Sequence, residues 1–223
     1  METDQFWQVP IAPDFQFIRV SVAHDGKNIV PLIFRTEAGD RCVDYQGISA
    51  DLKQVIECCS LYLGSDDDKH IERTALYECC LIRYRRCFAT GVRASLGEDA
   101  LGKFTEAERQ THNYFIDMAS KFIAHSVNSS ETLLPVVIPG AGPNGGHGHA
   151  FLNVRHTGDS NNKLQQLCSL SAKILTETVD PIISISSASY ELEVSQLTEI
   201  ELSKLIPAHI PVNTKAVPGS RRS

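Results

Sequence analysis

The chain has 223 residues, 42% of them hydrophobic and 22% charged, with a formal net charge of −6. That length suits one sizeable domain, or a domain with an appendage, and the composition is that of an ordinary globular protein. The acidic balance excludes a surface that coats nucleic acid generally, but leaves room for a local basic site.

The first residues, Met1-Glu2-Thr3-Asp4-Gln5, are acidic and polar, without the basic and apolar regions of a signal peptide. No apolar run approaches the roughly 18 residues needed to span a bilayer, so a cytoplasmic location is expected. Residues 1–46 read as extended. Phe15 to Val22 is rich in β-branched and aromatic residues, Asp25-Gly26 is a turn signal, and Ile29 to Arg35 reads as a second strand weakened by Pro31.

From Ser49 the pattern becomes helical. Ser49 is the expected N-cap of a helix over 49–63 that buries Leu52, Val55, Ile56, Cys59 and Leu63, and Gly64-Ser65 ends it. Asp66, Asp67 and Asp68 put negative charge at the start of a second helix, over 67–89, where the macrodipole favours it. Its expected core stripe is Ile71, Ala75, Leu76, Cys79, Ile82 and Cys87. Thr105-Glu106-Ala107-Glu108 resembles a capping box for a third helix, over 104–127, with Phe115, Ile116, Ala119, Phe122 and Ile123 inward.

Leu133–Ile138 and Ala150–Val154 then read as a hairpin joined by a Gly-rich loop. Asp159 or Ser160 caps a fourth helix, over 160–178, through Leu164, Leu167, Cys168, Leu170, Ile174 and Leu175, and Pro181 interrupts it. Helix is favoured again over 191–205. The tail from Pro207 to Ser223, with its prolines and Arg221-Arg222, is expected to be flexible.

Seven cysteines are present: Cys42, Cys58, Cys59, Cys79, Cys80, Cys87 and Cys168. The count is odd, two pairs are adjacent, and there is no CxxC, so reduced thiols buried in helices are the expectation. A zinc site assembled from Cys58/Cys59 and Cys79/Cys80 lacks the usual ligand spacing; no structural metal and no cofactor is expected. His147 and His149 flank one glycine, share a face in extended backbone and would bind a metal given a third ligand such as His156. Otherwise they form a hairpin tip.

The third helix carries the polar residues of most interest: His112, Asp117, Lys121 and His125. His112 and His125 lie about 20 Å apart along a helix, too far to share one substrate atom. Lys121 and His125 share a face, where a cation beside an imidazole would bind a phosphate or do acid–base work on one. The bland reading is an Asp117–Lys121 salt-bridged face with His125 near the helix C-terminus. Arg83, Arg85, Arg86 and Arg93 form the densest positive patch, read either as a solvated face or as an RNA or phosphate contact.

These segments resemble HEPN-type helical-bundle proteins, particularly the AbiU2-like abortive-infection group. The family pattern Arg-Asp/Asn-Lys-x-x-Ala-His-Ser is matched at Lys121, Ala124, His125 and Ser126, with Glu131 following and His112 upstream. Tyr84-Arg85-Arg86-Cys87-Phe88 is similar to the family's Tyr-x-Arg-Pro-Phe segment. The resemblance covers roughly residues 48–131. It implies a mainly α fold, a HEPN-like bundle of four to five helices, with small β-hairpin elements around it. The bundle would occupy 47–206, with a hairpin insertion at about 132–155, after an N-terminal element over 1–46 and before a tail over 207–223.

The resemblance also implies frequent homodimers and, in some members, metal-independent RNase activity. That chemistry pairs His with an Arg separated from it by four to six residues. Counting back from His125, those positions are Ser120, Ala119 and Met118, none of them Arg. The expected function is therefore a non-catalytic interaction protein, a homodimer in a phage-defence or toxin–antitoxin setting, with RNA or an antitoxin-like protein as partner. The alternative is an RNase using His125, Lys121 and Arg86, with Arg83 and Arg85 contacting RNA.

Overall fold

The structure, a computed structural model, describes residues 17–19, 22–24, 27–66, 68–91, 93–124, 131–139, 147–155 and 158–211. In chain order these form β1 (Phe17–Arg19), β2 (Val22–His24), β3 (Lys27–Ile29), β4 (Leu32–Ile33), α1 (Glu37–Gly64), α2 (His70–Phe88), the short α3 (Glu98–Leu101) and α4 (Glu106–Ala124). There follow β5 (Glu131–Ile138), β6 (Gly148–Arg155), α5 (Asn161–Ile174), a π-helical turn (Leu175–Val179), α6 (Asp180–Ser195), the short α7 (Glu199–Leu202), β7 (Ile206–Pro207) and β8 (His209–Pro211). The protein is mainly helical, with two-stranded antiparallel pairings beside the helices. Among the described residues no helix is long and apolar enough to cross a membrane.

The chain divides into two compact units, residues 44–182 and residues 1–43 with 183–223. In the larger unit α4 packs against both α2 and α5. Its core is made by Leu52, Val55 and Cys59 of α1, Tyr77, Leu81 and Tyr84 of α2, Phe115 and Ala119 of α4, and Leu164, Leu167 and Ile174 of α5, all essentially inaccessible to water. Each such large apolar side chain contributes about 1.5–3 kcal/mol by leaving water. Side chains of 122–124 lie outside the described residues, so the inward placement expected for Phe122 and Ile123 is untouched.

Helix α1 begins twelve residues earlier than Ser49. Thr36 supplies the cap: its Oγ1 accepts from Gly39 N at 3.1 Å, its carbonyl accepts from Asp40 N at 2.9 Å, and Glu37 and Asp40 occupy the acidic first turn. Ser49 is instead buried within the helix. Residues 37–46, expected to be extended, are therefore helical. Local capping chemistry at Thr36 outweighed the weak β-pattern before it.

The buried stripe of α2 coincides with the expected one only at Cys87. Tyr77, Cys80, Leu81, Tyr84 and Cys87 face inward, whereas Ile71 is 87% and Ile82 43% exposed. Both stripes have helical spacing. The observed one buries two aromatic rings, and each tyrosine hydroxyl finds a partner: Tyr84 with His112 and Tyr77 with Asp159.

The caps of the later helices match the sequence. Thr105 and Glu108 form the expected reciprocal box, Glu108 N donating to Thr105 Oγ1 at 3.3 Å and Thr105 N to Glu108 Oε2 at 2.7 Å. Ser160 caps α5 by accepting from Lys163 N. Leu164, Leu167, Leu170 and Ile174 are buried as expected, but Cys168 and Leu175 are only half-buried.

Pro181 does not interrupt the helix. The backbone widens into the π turn at Leu175–Val179 and continues as α6, with Pro181 in its first turn. Proline cannot donate to the carbonyl four residues back, which is that of Glu177. Lys103 Nζ donates to that carbonyl at 2.6 Å instead. A local π adjustment plus an external donor satisfies the group that proline leaves open.

The hairpin forms as expected and is longer than its sequence signature. β5 and β6 pair antiparallel from Glu131↔Arg155 to Ile138↔Gly148, with Pro135 opposite Phe151. In the smaller unit β2 pairs with β3, β1 with β8, and β4 with β7. The segment 207–211 is thus strand rather than flexible tail: Ala208 N donates to Pro31 O at 2.7 Å. Residues 183–206, assigned to the bundle by the sequence pattern, group with the N-terminal segment. There Tyr190 stacks on Phe34 and donates to its carbonyl at 3.0 Å, while a Cβ on Gly39 would lie 2.8 Å from the Tyr190 ring.

Candidate functional site

The arginine patch turns inward to one carboxylate. Asp51 lies on the buried side of α1, between core residues Ile48 and Leu52, and is 2% exposed. Arg83 Nη1 meets its Oδ1 at 2.9 Å, and Arg86 Nε approaches its Oδ2 at 3.6 Å. Arg93, from the loop after α2, donates to the same Oδ2 and to the Arg86 carbonyl at 3.2 Å. A buried carboxylate has to be paired and hydrogen-bonded, and here three guanidinium groups converge on it. The carboxylate hydrogen bond holds the Arg83 pKa above its ordinary value.

The loop carrying Arg93 is fastened just after that residue. Ala94 N donates to Asp44 Oδ2 at 2.8 Å, and Leu96 N to Cys87 O at 2.7 Å. The arrangement leaves the outer face of the cluster cationic and partly open to solvent, the Arg86 side chain being 51% exposed. Arg85, by contrast, is half-buried on α2 and makes none of these pairs with Asp51.

Two further polar clusters hold the bundle together. His112 of α4 is 7% exposed, bonded through Nδ1 to Tyr84 Oη at 3.0 Å, and enclosed edge-on by Phe88 and Phe104. Burial pushes its pKa down to about 4, so the ring is neutral near pH 7. Asp159, just before α5, gathers three tyrosines. Its Oδ2 accepts from Tyr114 at 2.5 Å and Tyr77 at 3.5 Å, and its carbonyl from Tyr62 at 3.0 Å. Burial, with the Asp159 charge, pushes the Tyr77 and Tyr114 hydroxyls up, so both remain proton donors.

The turn at Gly158 belongs to this second cluster. A Cβ there would sit 2.5 Å from Tyr62 Oη. Gly158→Ala is expected to cost about 1–3 kcal/mol by forcing buried Tyr62 aside, read as a lowered urea midpoint. An unchanged midpoint would show that Tyr62 yields freely.

A groove of about 450 Å³ runs between α4 and α5, lined by Gln110, Thr111, Lys163, Gln166, Ser169 and Lys173 among others. Lys173 is engaged there, donating to both Glu108 oxygens at 2.9 and 2.8 Å, and that bond holds the Glu108 carboxyl below its usual range. The groove offers amides and hydroxyls for hydrogen bonding, without a nucleophile paired to a base.

The sequence-predicted site residues do not all come together. Lys121 bonds Asp117 at 2.5 Å, the expected i,i+4 pair. His125 lies outside the described residues. Arg83 and Arg86 are brought together, but on Asp51. His147 and His149 are exposed at the start of β6, and His156 lies outside the described residues. Among the described residues no three His, Cys, Asp or Glu side chains gather where they could hold a metal ion.

Asp51, Tyr77 and Tyr114 were not singled out from the sequence, and Asp159 was read only as a candidate cap of α5. A signal for Asp51 did exist: it is an acid within the run of inward positions Ile48, Leu52 and Val55. No protein-family model matches the chain, and neither a curated protein nor a solved structure is significantly similar to it.

Proposed function

We propose that this chain is a non-catalytic, HEPN-like interaction protein. It works as a homodimer and engages an RNA or antitoxin-like protein partner within a phage-defence or toxin–antitoxin setting. The setting and the dimer rest on the resemblance of the third-helix and Tyr84–Phe88 motifs. One observation carries the non-catalytic part: of the guanidinium groups an RNase would need beside His125, Arg83 is held by Asp51 at 2.9 Å and Arg86 leans toward the same carboxylate at 3.6 Å. A neutral, enclosed His112 supplies no substitute base. Lys121, paired with Asp117, offers a point charge rather than a planar fork for a phosphate.

The deciding experiment is an RNA-cleavage assay on wild type and His125→Ala, with and without chelator, alongside sedimentation equilibrium. No turnover and a dimer are expected. A missing transition-state donor alone costs about 10²–10³ in rate. Chelator-resistant cleavage that leaves 2′,3′-cyclic phosphate ends, and disappears in both His125→Ala and Arg86→Ala with folding intact, would replace this reading with the RNase one. A monomer at all concentrations would remove the dimer.

A further inference from the structure

Charge in the Asp51 cluster is divided unevenly between core and solvent. The anion lies inside, its side chain 3% exposed, while the side chains of Arg83, Arg86 and Arg93 are 33%, 51% and 20% exposed. A surface ion pair shows both signs to water; this cluster shows one. Asp44, which takes the Ala94 N–H, is the other acid fastened to the Arg93 loop. Both carboxylates set against three guanidinium groups still leave a positive excess, and charges this close reinforce one another in a partly desolvated seam.

The guanidinium donors are also far from saturated. Arg83 Nη1 donates to Asp51 Oδ1, and Arg93 Nη2 donates to Asp51 Oδ2 and to the Arg86 carbonyl. Arg86 gives no side-chain hydrogen bond to any described residue: Nε, its nearest atom to Asp51, stops at 3.6 Å, beyond hydrogen-bond reach. Arg86 and Arg93 approach the same Oδ2, so their guanidinium groups are neighbours. Two cations sharing one oxygen repel, and a second anion on the solvent side relieves that repulsion. Gly47 makes room for the arrangement, since a Cβ there would come within 3.1 Å of Arg93 Nη1.

We propose that the solvent face of this cluster binds a phosphate group, with Arg86 as the principal contact and Arg93 beside it. Arg83 stays with Asp51 and contributes its charge. The open fork of Arg86 matches two phosphate oxygens, which a lysine's point charge does not. The phosphodiester backbone of RNA and a free phosphate or nucleotide share this chemistry. RNA as the source rests on the partner class proposed above; the phosphate site itself does not. Tyr84 is buried and Phe88 packs edge-on against His112, so the cluster offers bases nothing to stack on. RNA held here is therefore gripped by its backbone, whatever its sequence.

The test titrates the folded full-length protein with inorganic phosphate, followed by phosphorus NMR, and with a fluorescent oligouridylate, followed by anisotropy. Saturable phosphate binding is expected, about tenfold weaker in Arg86→Ala and intermediate in Arg86→Lys, which keeps the charge and loses the fork. Lys53→Ala removes the same charge from an exposed position on the opposite side of α1 from Asp51, and should bind as wild type. Oligouridylate should be displaced by phosphate, and the slope of its salt dependence should fall by about one in Arg86→Ala. Phosphate binding without oligouridylate binding would uphold the site and remove RNA from the proposed function. Oligouridylate binding that Arg86→Ala leaves unchanged would overturn the site and leave the RNA partner standing. No phosphate binding, equal phosphate binding by wild type and Arg86→Ala, or a glutamate-rich peptide bound through Arg86 in preference to phosphate would each overturn the proposal. Arg86→Lys decides the case if Arg86→Ala fails to fold.

Discussion

Asp51→Ala is expected to lower the unfolding free energy by about 3 kcal/mol, visible as a lower urea midpoint with an unchanged slope. The reason is an asymmetry between partners. Asp51 is buried and serves Arg83, Arg86 and Arg93 together, so its loss leaves three guanidinium groups at a seam built around an anion. Removing one partner of a buried pair costs about 3–5 kcal/mol, and the partial solvent access of these arginines places the effect at the low end. Asp51→Asn should behave almost as badly, because the amide presents its own N–H groups to cationic donors. Arg86→Ala should cost less than about 1 kcal/mol, since its approach is long and half solvated, as for a surface pair. A loss below 1 kcal/mol for Asp51→Ala would mean that the cluster lies on the fold without holding it.

Acid should destabilise the larger unit through His112. Its folded-state pKa is pushed down to about 4, against an ordinary value near 6.5. Above pH 6.5 the imidazole is neutral whether folded or unfolded, and the group adds no pH dependence. As pH falls from 6.5 toward 4 the unfolded chain takes a proton that the folded chain refuses, so stability is lost across that window. The loss amounts to about 3 kcal/mol by pH 4. His112→Asn should flatten this part of the pH–stability profile, at the cost of a lower plateau near neutrality because Tyr84 and the surrounding rings lose their fitted partner. A wild-type profile flat between pH 6.5 and 4.5 would show that His112 is protonated readily in the folded state.

What was legible in the sequence was local. The Thr105–Glu108 box, the Ser160 cap, the apolar stripe of α5, the Asp117–Lys121 pair and the 131–155 hairpin all follow from spacings of a few residues, and each is present. The same kind of signal misled at Ser49 and on α2. Ser49 has a good cap residue type, but Thr36 stands earlier with acids in the first turn behind it. Helical spacing on α2 allowed two inward faces.

The candidate site was half legible. Arg83, Arg86 and Arg93 were visible as a cationic patch, yet nothing in their spacing shows that they share one carboxylate on another helix. By itself the sequence determined the helices that can form, their caps and the residues able to carry charge or sulfur. Tertiary structure alone decided which stripe of α2 is buried, since that depends on whether Tyr77 and Tyr84 find acceptors on α4 and before α5. It also decided the pairing of β1 with β8 and β4 with β7, the convergence of three arginines on Asp51, and the meeting of Cys59 with Cys80. Each of these joins residues distant in sequence. Such contacts form only when several helices bury apolar surface together, because no local hydrogen bond or propensity encodes them.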